Sequence, residues 1–365
     1  MTQLGASPFE IAFPPPTEAN PYPDRPAEVD DECIFDDQIM AQPPGTVSLL
    51  TGFNRGIDVY MTMNTLASVE FAYGVTQLPW SEQRNLLRDC VQAVKATTAN
   101  LPPELSLELS SSAASGAADG GTLRVFSAEY FEDLPGYQYY PPGFDVLQEN
   151  DLRLVLQDQP ARRRQIQFDG QKANIYTSQL ATRSYFVELY LNLRDAARDK
   201  GQLGYPVRAN DSGVKTESSA SIAAAAIQAA AAASAEAPDA IDGAMAAERE
   251  LIVRDLLDVL GAIPQRNMEP NGSALINKIR QVASTLVRDA PERKGPFAQK
   301  AEADLGRFLE ILMRLEKTGG STAAAGEAGE GGEMTPEDED AELRSWADLR
   351  EYQLRFAQSG GFLQQ

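Results

Sequence analysis

From Pro160 to Asp199 runs the longest helical signal in the chain, and it sets the fold class. Tyr176, Leu180, Val187 and Leu191 fall on one helical face, and Ile175, Phe186, Leu189 and Leu193 widen it. A stripe that broad needs burial on more than one side, the situation of a central helix in an all-α core. Gly201 and Gly204 supply its stop.

Further helical stretches flank this one. Thr46 to Tyr73 is apolar at helical intervals and free of proline, which predicts one or two helices broken near Gly52 or Gly56. After Pro79, Ser81 is the expected N-cap of a helix with a Leu87, Val91 and Val94 stripe, ended by Pro102. Glu248 to Leu260, Ser273 to Arg288 and Phe297 to Lys317 complete the set; the second carries Leu275, Ile279, Val282 and Leu286 at spacings of four and three. No useful period-two alternation appears, so the expected fold is all-α: an irregular multi-helix domain with long low-complexity insertions.

The punctuation divides the chain. Residues 1–24 are a Pro-rich extended lead-in. Residues 25–317 are the helical domain, with insertions at about 106–121 and 202–247. The second insertion is Ala-rich and interrupted by Pro238 and Gly243, and it is expected to be linker or marginal helix, because alanine buries little. The aromatic passage VFSAEYFEDLPGYQYYPPGF is expected to pack irregularly on the helices. Residues 318–365 read as an acidic linker followed by an amphipathic segment.

Composition removes several chemistries. There is no histidine, so Ser-His and Cys-His nucleophiles and the commonest transition-metal ligand are missing. Cys33 and Cys90 cannot form a four-thiolate zinc site, and they are expected to be spectator thiols in a reducing compartment. A net charge of −21 repels phosphate backbones and anionic bilayers. No apolar run approaches the ~18 residues of a membrane span, and no secretory leader is visible in the sequence given. The expectation is a soluble intracellular protein that is not an enzyme, with no direct nucleic acid contact and no membrane.

RPAEVDDECIFDD, from Arg25 to Asp37, packs six carboxylates into one short stretch. It lacks the alternating oxygens and turn glycine of a calcium loop, and adjacent Asp36 and Asp37 cannot both face a substrate held between them. No catalytic, cofactor or metal residue is assigned. Arg162, Arg163 and Arg164 form the only basic triplet and are expected to be a solvated turn or to make local ion pairs. In the tail, Leu343, Trp346, Leu349, Tyr352, Leu354 and Phe356 follow an acidic run. That pattern suits first a last helix folded onto the core, with an activation or partner-binding segment as the other reading.

In the regulatory "middle homology" domain of fungal binuclear zinc-cluster transcription factors, an Arg-Pro loop carries an aliphatic residue and then a run of acids. Arg25, Pro26, Val29, Asp30, Asp31 and Glu32 resemble that loop. IQFDGQKANIYTSQLATRSYFVELY resembles the family's long helix, and RELIVRDLLDVLGAIPQRNMEPNGSALINKIRQVASTLV its C-terminal helical part. The resemblance covers roughly Arg25 to Leu193 and Glu248 to Leu315. It implies the regulatory and effector part of a nuclear factor controlling RNA polymerase II transcription, of metabolic genes. The implied partners are the transcription machinery or a co-regulator, a small-molecule inducer and a second copy in a homodimer. The family's cysteine-rich zinc-cluster module has no counterpart here, so zinc is expected only in a module outside these residues. A helical adaptor or cofactor protein without DNA contact is the alternative.

Overall fold

The computed structural model describes residues 21–107, 159–199, 238–287 and 298–319, together with positions 341, 343–345 and 347. The described part is 79% helical and has no strands, and it is an all-α fold. Seven helices of ten residues or more make it up: α1 (Leu49–Met61), α2 (Asn64–Tyr73), α3 (Trp80–Ala96), α4 (Pro160–Asp199), α5 (Pro238–Ala262), α6 (Gly272–Val287) and α7 (Ala298–Gly319). The single turn Gln265–Met268 joins α5 to α6. The lead-in as far as residue 20, the aromatic passage and residues 202–237 and 320–340 lie outside the described residues.

At 40 residues, α4 is about 60 Å long. Helices α1, α3, α5 and α6 all pack against it, and α7 packs on α6. That arrangement explains the wide stripe. Tyr176, Leu180, Phe186, Val187, Leu191 and Leu193 are buried in one continuous core with Leu66, Leu87, Val94, Leu256, Ile279 and Phe308. Trp80 and Tyr190 meet at the α3–α4 crossing, with ring centroids 5.3 Å apart in a tilted arrangement.

The bounds expected for α4 agree with the structure, whereas three local expectations do not. The break between α1 and α2 falls at Thr62 and Met63, where the Thr62 hydroxyl donates to the Val59 carbonyl at 2.6 Å. Gly52 and Gly56 instead lie buried inside α1, on the face packed against α4. A Cβ on Gly52 would stand 2.0 Å from Gln171 Oε1, while the Gln171 amide donates to the Leu49 carbonyl at 2.7 Å. Glycine leaves room there for the Gln171 side chain, which a Cβ would displace from the Leu49 carbonyl.

The second correction concerns the start of α3. The Pro79 carbonyl accepts from Glu82 N at 2.9 Å and Gln83 N at 3.1 Å, so the helix begins at Trp80 and Ser81 lies inside the first turn. Gln83 then fixes the corner by donating to the carbonyls of Val75 at 3.0 Å and Leu78 at 2.9 Å. The α2 end before this corner turns at Gly74, whose φ of 77° favours glycine.

The third correction concerns residues 238–247, expected to be insertion. They form the first turns of α5, with Pro238 as its opening residue and Ile241 and Met245 buried. Proline costs little at the start of a helix, where its missing N–H has no intrahelical partner. Gly243 is tolerated in mid-helix because Ile241 and Met245 on either side of it anchor the turn to the core.

Candidate functional site

The acidic stretch closes over the N-terminal end of α1 and the start of α4. Arg25 pairs with Asp58 on α1, and the Pro26 carbonyl accepts from Asn54 Nδ2 at 3.0 Å. Glu28 accepts from the Thr51 hydroxyl at 2.9 Å and from Asn54 Nδ2 at 3.1 Å. Val29 is half-buried. Each contact reaches a residue of α1, so the loop lies along that helix.

Asp30 is the centre of this clasp. Its Oδ1 accepts from Leu49 N at 2.9 Å, at the first residue of α1. Its Oδ2 accepts from Gln42 Nε2 and from Arg164 Nη2, both at 2.7 Å. Its own backbone N–H donates to Gln42 Oε1 at 2.9 Å. Burial alone would raise this carboxyl, but the bonds from Leu49, Gln42 and Arg164, with the charge of Arg164, outweigh it and hold the group at about 2. Ser48 caps the same helix through Leu50 N at 3.1 Å, so α1 starts with two side-chain acceptors.

Arg164 corrects another expectation. Its partner is Asp30, far away in sequence, and it also donates to the Val47 carbonyl and lies 5.3 Å from the centre of the Phe168 ring. Asp31 and Glu32 take no part in the clasp and are exposed, as are Asp36 and Asp37. The stretch therefore divides into a docked half, Arg25 to Asp30, and a solvent-facing half beyond it.

A second polar assembly lies inside the helical core. Arg183 on α4 donates from Nε to Glu248 and from Nη1 to Asp255 Oδ2 at 3.2 Å. Glu248 also takes Lys95 of α3 at 3.0 Å, so three helices share one charge cluster. One turn further along α4, Glu188 accepts from Arg249 Nε at 2.6 Å, and Arg249 also reaches the Thr285 carbonyl on α6. Sequence reasoning missed this assembly. Its trace is Arg183 itself, placed on the apolar stripe between Leu180 and Val187 at spacings of three and four.

In both assemblies the charges are held rather than offered for reaction. Both oxygens of Asp30 and both of Glu248 are occupied by donors. Cys90 is buried, and desolvation followed by the nearby Asp89 carboxylate pushes its thiol up to about 12, so it is not a thiolate near neutral pH. Cys33 is also free and buried, 3.8 Å from Gln42 Oε1. Among the described residues no three carboxylates or thiols come together as metal ligands.

Of the tail residues, Leu343 is helical and fully buried within the main core. Ala347 is buried as well. Trp346, Leu349, Tyr352 and Phe356 lie outside the described residues. Among the described residues no helix is long and apolar enough to cross a membrane. Comparison of the chain with protein-family models, with curated proteins and with solved structures gave no match.

Proposed function

We propose that this chain is the regulatory and effector part of a fungal-type transcription factor that acts on RNA polymerase II transcription in the nucleus. The carrying observation is the Asp30 clasp. Of the six loop residues that carry the resemblance, Arg25, Pro26 and Asp30 tie the loop to α1 and α4, while Asp31 and Glu32 face solvent. A sequence pattern that doubles as the joint between two core helices supports kinship better than an unattached acidic run. The acidic net charge and the absence of histidine favour recognition of a protein over catalysis or nucleic acid contact.

In this reading, an inducer or co-regulator shifts the packing around α4 and alters what the acidic tail offers to the transcription machinery. Leu343, bound into the core, is the link between the two. The test is to fuse the whole chain to a heterologous DNA-binding domain and measure a reporter, with and without residues 334–365. Activation or repression that depends on those residues is the expected result. A fusion that is folded, nuclear and bound to its sites yet leaves the reporter at the level of the DNA-binding domain alone overturns the reading.

A further inference from the structure

Beyond Asp30 the chain forms a short hairpin with an exposed apolar tip. Ile34 and Ile39 make an antiparallel bridge, flanked by Phe35 N to the Gln38 carbonyl at 2.9 Å and Met40 N to the Cys33 carbonyl at 2.8 Å. In that pattern Ile34 and Ile39 are the non-hydrogen-bonded pair, the arrangement that brings opposite side chains closest, on one face. Cys33 lies at the base and is buried, and Asp30 and Gln42 tie the two ends together. The element is braced from below and bare above.

Its side chains are unusual for a solvated turn. Ile34, Phe35, Ile39 and Met40 are 48, 50, 62 and 52% exposed. Scattered apolar residues on a surface need no explanation, but four within seven positions on one braced turn do. Asp31, Glu32, Asp36 and Asp37 are their neighbours in sequence, all exposed, and no Lys or Arg occurs between Arg25 and Arg55. The hairpin segment thus combines a preformed apolar tip with charged side chains that are all carboxylates, Arg164 lying at its base on Asp30.

We propose that this hairpin is a docking element for a partner protein with an apolar cleft rimmed by lysine and arginine. Burial of Ile34, Phe35, Ile39 and Met40 supplies the central contact, where binding energy concentrates. The four carboxylates meet the basic rim, which speeds encounter and selects against acidic surfaces. Charge decides the occupant: a second copy of a chain at −21 would bring one negative border against another. Nucleic acid and anionic bilayers are excluded by the same sign. Because the hairpin is already folded, little ordering cost opposes binding. This inference does not depend on the regulatory reading, since it rests on the exposure and charge of the hairpin and not on the family resemblance.

The test uses the full chain and a fluorescein-labelled amphipathic helix of roughly fifteen residues built only from leucine and lysine, an apolar strip bordered by cations. A serine/lysine helix of equal charge measures the purely electrostatic background. Fluorescence anisotropy is expected to show at least about tenfold tighter binding of the leucine/lysine helix. The triple variant I34S/F35S/I39S should erase that preference with an unchanged thermal midpoint, whereas F53S/F71S, in exposed positions on α1 and α2, should keep it. The charge variant D31N/E32Q/D36N/D37N should weaken binding and flatten its salt dependence, and it carries the test if the triple variant does not fold. Equal binding of the two helices overturns the proposal, as does retention of the preference in the triple and charge variants. A dimer in sedimentation that the triple variant abolishes assigns the hairpin to a second copy, and also overturns it.

Discussion

Asp30 and Arg164 are 134 positions apart in sequence, and their side chains meet at 2.7 Å where α1 and α4 both begin. The pair closes the clasp, and because Arg164 also binds the Val47 carbonyl it fixes the segment leading into α1. Removing the charge from Asp30 should loosen all of these together. Asp30→Asn is expected to cost about 1–2 kcal/mol in urea unfolding, less than a fully buried pair, because Arg164 remains partly open to water.

The same residue gives a pH dependence. Above about pH 4, Asp30 is ionised whether the chain is folded or unfolded, and its contribution is complete. As pH falls from about 4 to about 2, the unfolded chain takes up a proton that the folded chain refuses, so stability declines. Unfolding midpoints measured across that window should fall more steeply for the native chain than for Asp30→Asn.

Gly52 and Gly56 should respond with opposite signs. Alanine at Gly52 displaces the Gln171 amide from the Leu49 carbonyl, so Gly52→Ala is expected to destabilise by about 1–2 kcal/mol despite its better helix propensity. At Gly56 the nearest atom to an added Cβ is Asn174 Nδ2 at 3.9 Å, an ordinary contact. Gly56→Ala should therefore stabilise by about 0.5–1 kcal/mol. Equal effects at the two positions in denaturant titrations would contradict the close approach of α1 to α4.

Arg183 neutralises two carboxylates in the core. Arg183→Met leaves buried Glu248 with Lys95 at 3.0 Å and buried Asp255 with only the more distant Arg254 at 3.8 Å, and a loss of about 3–5 kcal/mol is expected. Adding Glu248→Gln and Asp255→Asn to that variant should restore much of the loss. Thermal unfolding of the single and triple variants gives the comparison.

Cys90 should behave as a buried neutral thiol. A thiol reagent at pH 8 is expected to leave it unmodified in the folded chain and to titrate both cysteines in guanidinium. Its folded-state value lies above the ordinary 9.0, so stability is full below about pH 9 and falls as pH rises towards 12. Cys90→Ala should remove part of that alkaline decline.

The helical class was legible because α4 carries apolar residues at a helical period over its middle turns, a signal no other regular structure produces. The clasp was not. Asp30 and Arg164 look like members of two local charge runs, and nothing in a single sequence pairs residues so far apart. The glycines misled for a related reason. Gly52 reads as a helix break until a neighbouring helix occupies the space where its side chain would be. Leu343 sat between two readings that share one spacing, and only its burial distinguishes them at that position.

The placement of α4 bears on how the chain could come apart and reassemble. Its packing partners are supplied from before residue 108 and after residue 237, and α4 itself lies between. Among the described residues, the domain is in effect a three-part complex whose components belong to one chain. Joining the three parts in one chain raises their effective concentration for one another. A chain cut within 108–158 or 200–237 keeps every described contact of α4, and should survive as a dilution-sensitive assembly of its own fragments.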